Sequence, residues 1–391
     1  MSNLNFKILA KEDKSRTGEI TINNKTIKTP GFMPVATRGA IKSTPHTFLD
    51  NTDVLLANTY HLYLRPGVDV INELGGIHKF MSWDKVILTD SGGFQAWSLP
   101  TKIDNEGVVF KNIYDGSSFK MTPEISIKSQ NKIGSDIAMI FDCLIDIKDS
   151  KEKQINSINL TRDWGSITKS FHKNKDQALF GIVQGGLHKD LRELSTKYMV
   201  DQEYDGYALG GLAIGETNIE RKNIVKFTSE LLPDDKPKYV MGLGDMHGLV
   251  DLIEEGIDLF DCVWPARLAR HGKLIVGNTY INIKNKQYEN DPEPISNVCT
   301  CFTCQNYSKA FLRHLIHNEN TTAWLYLTIH NLIQTEIILD EARKSILEST
   351  FSTFRKQFEY EWFNNFTTAN NSLCNILCIT LYSSTKKEQK T

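Results

Sequence analysis

Eight short apolar runs recur between residues 31 and 260, and they limit the folds open to this chain more than any other feature. Most of them are separated by stretches with the apolar spacing of an amphipathic helix, which is typical of βα units around a parallel sheet. A doubly wound open sheet and a closed barrel both fit that alternation. The runs occupy residues 31–35, 54–57, 85–88, 136–141, 179–183, 207–210, 239–241 and 257–260.

Polar residues or glycines follow seven of these runs, and the series favours the barrel. Aspartate and glycine also begin ordinary loops, so no single position decides between the two folds. Enzymes with a (β/α)8 barrel, however, place their chemistry at the carboxyl ends of the strands. We therefore predict an α/β protein, a TIM barrel, with its functional site at that rim. The rim residues are Asn58, Asp90, Asp142, Gln184, Gly211, Gly242 and Asp261.

Appendages flank the predicted barrel core of residues 31–272. Residues 6–28 alternate between polar and apolar positions around Asn23 and Asn24, which predicts an antiparallel hairpin in an N-terminal cap of residues 1–30. Residues 273–366 are predicted to form a zinc-binding subdomain with closing helices. They contain a strand-like stretch at 273–283, a cysteine cluster and helices from 305 to about 363. The tail of residues 367–391 begins rich in Asn, Ser and Thr, and we assign it no fold.

Charge and hydropathy exclude some classes of protein. The formal net charge is -2, so the chain as a whole does not attract nucleic acid, and any RNA contact needs a local basic patch. There is no apolar signal segment at the start and no run of roughly 18 apolar residues, which a membrane helix requires. These features predict a cytoplasmic protein.

Three of the seven cysteines lie within six residues of one another, a spacing that suits a metal site better than a disulfide framework. Cys299, Cys301 and Cys304 form a C-x-C-x2-C motif, and with His330 on a later helical stretch they provide the donors that tetrahedral Zn²⁺ accepts. Four protein ligands leave no position for a catalytic water, which predicts one structural zinc ion per chain. The alternative fourth ligands are His314 and His317.

Two aspartates are candidates for covalent chemistry. Asp90 lies at a strand end and precedes two glycines that let a ligand approach the backbone, and Phe94 then offers a ring for stacking or for loop packing. Asp261 ends the eighth run, where a helix N-cap or a structural carboxylate is the alternative interpretation. Two carboxylates on one rim permit double displacement at an anomeric carbon, with one attacking and the other transferring protons, as in retaining glycosidases.

Between these aspartates lie groups that complement a guanine edge. Asp142 offers an acceptor for the N–H groups of the base, while Gln184 and the backbone amide of Gly211 offer donors for O6. We therefore expect a purine-like base to bind at the rim.

Together with the stretch NTYHLYLRPG at 58–67 and the Cys/His set, these segments resemble the tRNA-guanine transglycosylase family, also called queuine tRNA-ribosyltransferase, in its bacterial type. The resemblance runs in unbroken order from about residue 6 to residue 363. It implies that Asp261 attacks C1′ of the wobble guanosine to form a covalent tRNA intermediate, and that Asp90 acts as general acid and base. Guanine would then leave, and 7-aminomethyl-7-deazaguanine would enter tRNAs with GUN anticodons, as in queuosine biosynthesis.

The resemblance also implies roles for further residues and a homodimer with the zinc subdomain near its interface. Asp142, Gln184 and the Gly211 amide would recognise the base edge, Phe94 and Met241 would enclose the ring, and the Leu212 carbonyl would bind the aminomethyl group. The implied substrate-binding residues are Ser91, Phe94, Asp142, Gln184, Gly210, Gly211, Leu212 and Met241. The implied RNA-binding residues are Gly242, Leu243, Gly244, Asp245, Met246, His247, Gly248, Ala266, Arg267, Leu268, Ala269 and Arg270.

The chain departs from the family pattern near both aspartates. The usual Pro-Thr-Arg after the nucleophile is Pro-Ala-Arg at 265–267, preceded by Trp264, and Asp142 is followed by Cys-Leu-Ile at 143–145. These changes bear on anticodon preference and base choice rather than on the reaction type. The branched side chain of Ile214 favours the small aminomethyl base over bulkier queuine, while Leu144 is able to reshape the same space.

Other functions remain as alternatives. A non-catalytic tRNA-binding partner subunit would lack the nucleophile, whereas Asp90 and Asp261 are both present. A zinc-dependent barrel hydrolase would need an open metal site on the rim. The archaeal type of transglycosylase normally adds a C-terminal RNA-binding domain, for which the residues after 366 are too few. The same exchange with queuine as the incoming base also stays open.

Overall fold

The computed structural model describes residues 3–99 and 101–359, in which sixteen strands and thirteen α-helices have defined bounds. Two short 3₁₀ helices span His46–Phe48 and Lys286–Tyr288, and residues 351–359 are also helical. In chain order the strands are β1 (Asn5–Glu12), β2 (Ser15–Ile22), β3 (Lys25–Thr29), β4 (Gly31–Ala36), β5 (Val54–Ala57), β6 (Val86–Thr89), β7 (Lys102–Asp104), β8 (Gly107–Lys111), β9 (Ser118–Met121), β10 (Ile137–Met139), β11 (Ala178–Val183), β12 (Gly206–Leu209), β13 (Lys238–Val240), β14 (Leu259–Cys262), β15 (Lys273–Val276) and β16 (Thr279–Asn282). The helices are α1 (Thr59–Leu64), α2 (Val68–Glu73), α3 (Ile77–Met81), α4 (Gly93–Ser98), α5 (Pro123–Ile133), α6 (Lys151–Phe171), α7 (Lys189–Asp201), α8 (Asn218–Leu231), α9 (Met246–Ile253), α10 (Trp264–Arg270), α11 (Phe302–Asn306), α12 (Lys309–Asn318) and α13 (Asn320–Leu347).

Eight parallel strands close into a barrel in the order β4-β5-β6-β10-β11-β12-β13-β14, and β14 pairs with β4. This confirms the predicted TIM barrel, with strand bounds shifted by one or two residues for most runs. Strands β5, β6, β11 and β12 are buried along their whole length. Burial on both faces explains why these strands read as continuous apolar runs rather than as an alternation.

Short polar side chains define where the outer helices begin. Thr217 accepts a hydrogen bond from the Glu220 amide at the start of α8, and the Glu220 carboxylate accepts one in return from the Thr217 amide at 2.9 Å. Before α5, Thr122 accepts from the Ile125 amide, and Pro123 occupies the first helical position. Such caps satisfy amides that lack a partner within the helix.

Strands β1, β2 and β3 form an antiparallel sheet at the amino-terminal end of the barrel. The predicted turn at Asn23 and Asn24 is confirmed, and a second turn at Asp13 adds a third strand to the expected hairpin. From this sheet the buried Arg16 contacts both carboxylate oxygens of Asp258, at 2.9 and 2.6 Å. Because Asp258 directly precedes β14, the bidentate pair fixes the cap to the end of the barrel opposite the rim.

A small antiparallel sheet, β7-β8-β9, lies in the connection between β6 and β10 and is absent from the sequence prediction. Its Phe110 and Phe119 pack against Tyr60 of α1, with ring centroids 4.9 and 6.1 Å from that of Tyr60. Strands this short carry too few residues to show a periodicity in the sequence.

The C-terminal elements dock on the barrel through the long helix α13, which packs against α10 and β15. Its Asn331 carboxamide donates to the carbonyls of Pro265 and Lys273, both at 3.0 Å, and accepts from the Ile275 amide at 2.9 Å. The predicted strand-like stretch at 273–283 is the hairpin β15-β16, and the predicted helices follow it. The division at residues 31 and 273 stays a prediction, and residues 360–391, with the unassigned tail, lie outside the described residues.

None of the helices in the described residues combines the length and hydrophobicity needed to cross a bilayer.

Candidate active site and metal centre

Asp90 follows β6 and is fixed by three donors from neighbouring segments. Its Oδ1 accepts from the amides of Thr59 and Gly92, at 2.9 and 3.2 Å, and its Oδ2 accepts from the Asn58 carboxamide. Asn58 is in turn the N-cap of α1 and donates to Gln95 at 3.1 Å. The strand end, the first turn of α1 and the glycine pair therefore hold one carboxylate in one orientation.

Burial raises the pKa of Asp90 to about 7, and the hydrogen bonds from Thr59, Gly92 and Asn58 act in the opposite direction. The negative charge of Asp261 adds to the increase. A carboxyl group with a pKa in this range is able both to donate and to accept a proton near neutrality.

Asp261 lies in β14 and receives two hydrogen bonds on a single oxygen. The Tyr239 hydroxyl donates to Oδ1 at 2.5 Å, and the Gly242 amide donates to the same atom at 2.8 Å. Burial raises the pKa of Asp261, while these two bonds lower it. Both of these hydrogen bonds end on Oδ1, and neither the Tyr239 hydroxyl nor the Gly242 amide contacts Oδ2.

The two aspartates lie at the same rim and within electrostatic range of each other. Strands β6 and β14 are separated by β5 and β4 around the barrel, so Asp90 and Asp261 project from different sides of one rim. Besides burial, the charge of Asp261 raises the pKa of Asp90. Burial raises the pKa of Tyr239 well above its ordinary value, and the charges of both aspartates contribute to the increase.

Asp142 and Gln184 lie side by side after β10 and β11. The Gln184 carboxamide donates to Asp142 Oδ2 at 2.7 Å, and the Ser91 hydroxyl donates to Oδ1 at 3.4 Å. Burial raises the pKa of Asp142 to about 6, against the effect of these two hydrogen bonds. A buried acceptor and a buried donor thus adjoin each other, as recognition of a guanine edge requires.

Glycines permit the close packing of this pair. A Cβ on Gly93 would lie 2.1 Å from Asp142 Oδ1, and a Cβ on Gly210 or Gly211 would lie 2.7 Å from the Gln184 carboxamide. Gly211 also has a φ of +67°, which residues with a side chain rarely adopt. The predicted residues Ser91, Asp142, Gln184, Gly210 and Gly211 are therefore brought together.

Phe94 and Met241 follow β6 and β13, which are four strands apart in the barrel of eight and so lie opposite each other. Phe94 is 50% exposed, an unusual state for a large apolar side chain, and Met241 is half-buried. The predicted enclosure of a base between these two side chains stays a prediction.

The loop after β12 carries Leu212 and is held by a carboxylate. Glu216 accepts from the amides of Ala213 and Ile214, at 2.6 and 3.1 Å, and Arg221 contacts it at 3.4 Å. Ala213 has a φ of +58°. The two hydrogen bonds stabilise this less favourable backbone and fix the orientation of the Leu212–Ala213 peptide.

Two predicted RNA-binding segments adjoin Asp261. Gly244 packs so closely on the end of β14 that an added Cβ would lie 2.4 Å from Cys262 Cβ, and Asp245 caps α9 by accepting from the Gly248 amide at 2.8 Å. In the second segment Arg267 is exposed and Arg270 is half-buried. The buried members support the two loops rather than present side chains at the surface, namely Leu243, Met246, Ala266, Leu268 and Ala269.

Three thiols and one imidazole converge at the predicted metal centre. The Sγ atoms of Cys299, Cys301 and Cys304 lie 3.8, 3.6 and 3.3 Å from Nδ1 of His330, and all four ligand atoms lie within 4.8 Å of one another. His330 Nε2 lies 2.7 Å from the Ile275 carbonyl. Donation to that carbonyl leaves Nδ1 free as a ligand, a common orientation for metal-binding histidines.

The four predicted ligands form this cluster, which is able to hold a metal ion. Among the described residues, His314 and His317 belong to α12 and are not members of the cluster. The donor set fits a divalent metal with tetrahedral preference. The cluster joins the segment 299–304 to α13.

Sequence reasoning missed several residues that hold the site. Tyr239 reads as a core aromatic within a strand, and only the hydrogen bond to Asp261 reveals its role. Asn58 and Glu216 lie in stretches that carry the family resemblance, but the sequence alone assigns them no partner. Two sequence features could have pointed to them: Asn58 directly follows a strand, and Glu216 lies in the loop that begins with a glycine pair.

Known proteins match nearly the whole chain. A family model described as queuine tRNA-ribosyltransferase matches residues 12–364. A queuine tRNA-ribosyltransferase of Fusobacterium nucleatum is 42% identical over 360 residues, which are 90% of this chain and 96% of that protein. Proteins of the same name from Buchnera aphidicola and Francisella tularensis are 41% and 40% identical over 362 residues, covering 91% and 92% of this chain and 98% and 99% of those proteins.

Proposed function

Since this chain belongs to the queuine tRNA-ribosyltransferase family and is accordingly a transglycosylase, we propose that it exchanges the wobble guanine of GUN-anticodon tRNAs for 7-aminomethyl-7-deazaguanine. The observation that carries this proposal is the pair of half-buried aspartates at one barrel rim beside a guanine-complementary pair. The exchange is a double displacement at C1′ of the ribose. After the first base leaves and before the second base attacks, C1′ is covalently bonded to the enzyme.

Asp261 attacks first. Its Oδ2 forms a bond to C1′ of the guanosine while the bond from C1′ to N9 breaks, and the electron pair of that bond stays on N9 of the leaving guanine. The Tyr239 hydroxyl and the Gly242 amide hold Oδ1, at 2.5 and 2.8 Å. These contacts orient the carboxylate and favour its ionised form, which the attack requires.

Asp90 moves the proton in both half-reactions. With a pKa of about 7, its carboxyl group donates a proton to the departing guanine. The resulting carboxylate then takes the N9 proton of the incoming base, whose N9 attacks C1′ as the bond to Asp261 breaks. The enzyme returns to its starting state, so one acid/base group serves both steps.

Asp142 and Gln184 select the base. The Asp142 carboxylate accepts from the N1–H and amino groups of a guanine-type edge, and the Gln184 carboxamide with the Gly211 amide donates to O6. Leu144 lies against this corner, because a Cβ on Gly211 would be 3.8 Å from its Cδ1. With Ile214 in the adjacent loop, Leu144 favours the small aminomethyl substituent over the larger queuine, and we assign the Leu212 carbonyl as the acceptor for the amino group.

We assign the metal as Zn²⁺, held by Cys299, Cys301, Cys304 and His330. When bound, the ion supplies a structural cross-link and no catalysis, since all four positions are taken by protein ligands. The homodimer rests on the family resemblance and the cytoplasmic location on the sequence features described above, and both stay proposals.

Release of labelled guanine tests the reaction. A GUN-anticodon tRNA carrying labelled guanine, incubated with the unlabelled aminomethyl base, should lose its label with the wild type and retain it with Asp261→Asn. A denaturing gel should show a protein-bound tRNA band when the wild-type reaction is stopped before the second base enters. Undiminished release by Asp261→Asn would refute the assigned nucleophile.

The matched control is Asp258→Asn, an equally conservative change three residues away in the cap contact rather than at the rim. It should lower stability but still form the covalent band. Parallel reactions with the aminomethyl base and with queuine identify the incoming base. Faster turnover with queuine than with the aminomethyl base would reverse the assignment. A non-catalytic partner subunit would release label with neither base.

A further inference from the structure

Two large apolar side chains are exposed directly after the proposed nucleophile. Val263 is 46% exposed and Trp264 is 37% exposed, although their neighbours Pro265 and Ala266 are buried. An exposed indole costs free energy in water unless a partner covers it. Its position at the first residue of α10, three residues from Asp261, places it at the rim.

The indole lies next to Tyr280, close enough that the Trp264 side chain lowers the pKa of Tyr280 against the larger effect of burial. The backbone of Met246 acts on Tyr280 in the same direction. Tyr280 therefore lies between Trp264 and the segment 242–248, which packs on β14 through Gly244 and Cys262. A partner that covers the indole is thereby brought next to both segments proposed to contact RNA.

The exposed face of α10 combines this ring with cations. Trp264 and Arg267 are three residues apart, so they lie on one side of the helix, and both are exposed, as is Lys273 after the end of the helix. No carboxylate of the described residues lies within ion-pair distance of Arg267, His271 or the adjacent Lys273. An aromatic ring next to positively charged side chains is able to bind single-stranded nucleic acid, since the ring stacks on a base and the charges bind the phosphate.

We propose that Trp264 stacks on the base of the nucleotide adjacent to the exchanged guanosine, while Arg267 binds its phosphate. The inference rests on the proposed function, and it adds a recognition element outside the base cavity. The three-residue separation from Asp261 spans at most roughly 10 Å between Cα atoms, which is within reach of a directly neighbouring nucleotide. Removal of the guanosine from the anticodon stack would leave that neighbour without a stacking partner, and the indole replaces it.

Binding of fluorescent RNA hairpins tests the contact without requiring catalysis. In two GUN-loop hairpins, 2-aminopurine replaces the base on the 5′ or the 3′ side of the guanosine. The wild type and Trp264→Phe should quench one of these probes on binding, whereas Trp264→Ala should not. Affinity of Trp264→Ala should fall roughly 5- to 150-fold, the loss expected for one base–aromatic stack.

An abasic hairpin makes the outcome independent of folding defects. Removal of the quenched base should weaken wild-type binding about as much as Trp264→Ala does, and the combined loss should not exceed either single loss. Leu74→Ala, which removes another exposed apolar side chain at the C-cap of α2, should bind like the wild type. Equal quenching by Trp264→Ala, or additive losses, would overturn the inference. A wild type that quenches the probe but releases no guanine would instead defeat the proposed function alone.

Discussion

Replacement of Tyr239 by Phe removes one oxygen atom and one hydrogen bond from Asp261 while leaving the buried ring in place. The lost contact is the 2.5 Å bond from the Tyr239 hydroxyl to Oδ1, so the Gly242 amide remains as the other donor to that atom. Because the hydroxyl favours the ionised carboxylate, its loss should raise the pKa of Asp261 further above the ordinary value.

The size of this increase follows from the strength of the bond. A hydrogen bond to a charged group contributes about 1.5–3 kcal/mol, and one pKa unit corresponds to about 1.36 kcal/mol. The pKa of Asp261 should therefore rise by about 1–2 units. In the proposed mechanism the attack requires ionised Asp261 and protonated Asp90, so the acid limb of the kcat/KM profile should move to higher pH. The alkaline limb, set by loss of the Asp90 proton with a pKa of about 7, should stay near its position, and the profile becomes narrower.

Guanine release measured from pH 5 to pH 9 under kcat/KM conditions provides the profile. Tyr207→Phe, which removes the hydroxyl of another buried tyrosine one strand away in β12, should leave both limbs in place. An acid limb that does not move in Tyr239→Phe, or one that moves to lower pH, would refute the role of the hydroxyl. A uniform loss of rate at every pH would show that Tyr239 acts through packing alone.

Further predictions concern stability and the metal. Asp90 has a folded-state pKa of about 7 against an ordinary value of 3.8, so it stabilises the fold fully below pH 3.8, and that contribution is lost as pH rises through 7. We compare the free energy of unfolding, measured in urea, of Asp90→Asn and of the wild type. The value for Asp90→Asn minus that for the wild type should be about 2–3 kcal/mol larger at pH 8 than at pH 5. A constant difference would show that the carboxyl is not buried as described. Metal analysis should give about one zinc per chain in the wild type and in Cys143→Ala, and far less in Cys301→Ala, with a lower Tm. Full zinc content in Cys301→Ala would exclude the proposed ligand set.

The barrel and its rim were accessible from sequence because each strand carries its own signal. Runs of apolar residues predicted the strands, and the closed barrel confirms them. The residues that follow the runs, such as Asp90, Asp142 and Gln184, come after barrel strands in the structure. The metal ligands were equally accessible, since three cysteines within six residues limit the alternatives. Only the fourth ligand needed the structure, which brings His330 to the cysteines through the fold of α13.

Contacts between distant segments were not accessible. Tyr239 contacts Asp261 because β13 and β14 pair in a register that aligns Tyr239 with Leu259, and a single sequence contains no record of that pairing. The same holds for the Asn58 contact to Asp90 and for the Glu216 contacts to its own loop. The β7-β8-β9 sheet was missed for a different reason, since strands of three to five residues show too little alternation to be distinguished from loop.

The cap sheet covers the amino-terminal end of the barrel, where Arg16 and Asp258 are buried beneath it. Because the interior of a (β/α)8 barrel is itself filled by side chains, the carboxyl-terminal rim is the end at which a ligand can bind. If the proposed exchange takes place there, guanine and the incoming base bind at the same rim one after the other. Free guanine should then compete with the incoming base for this position.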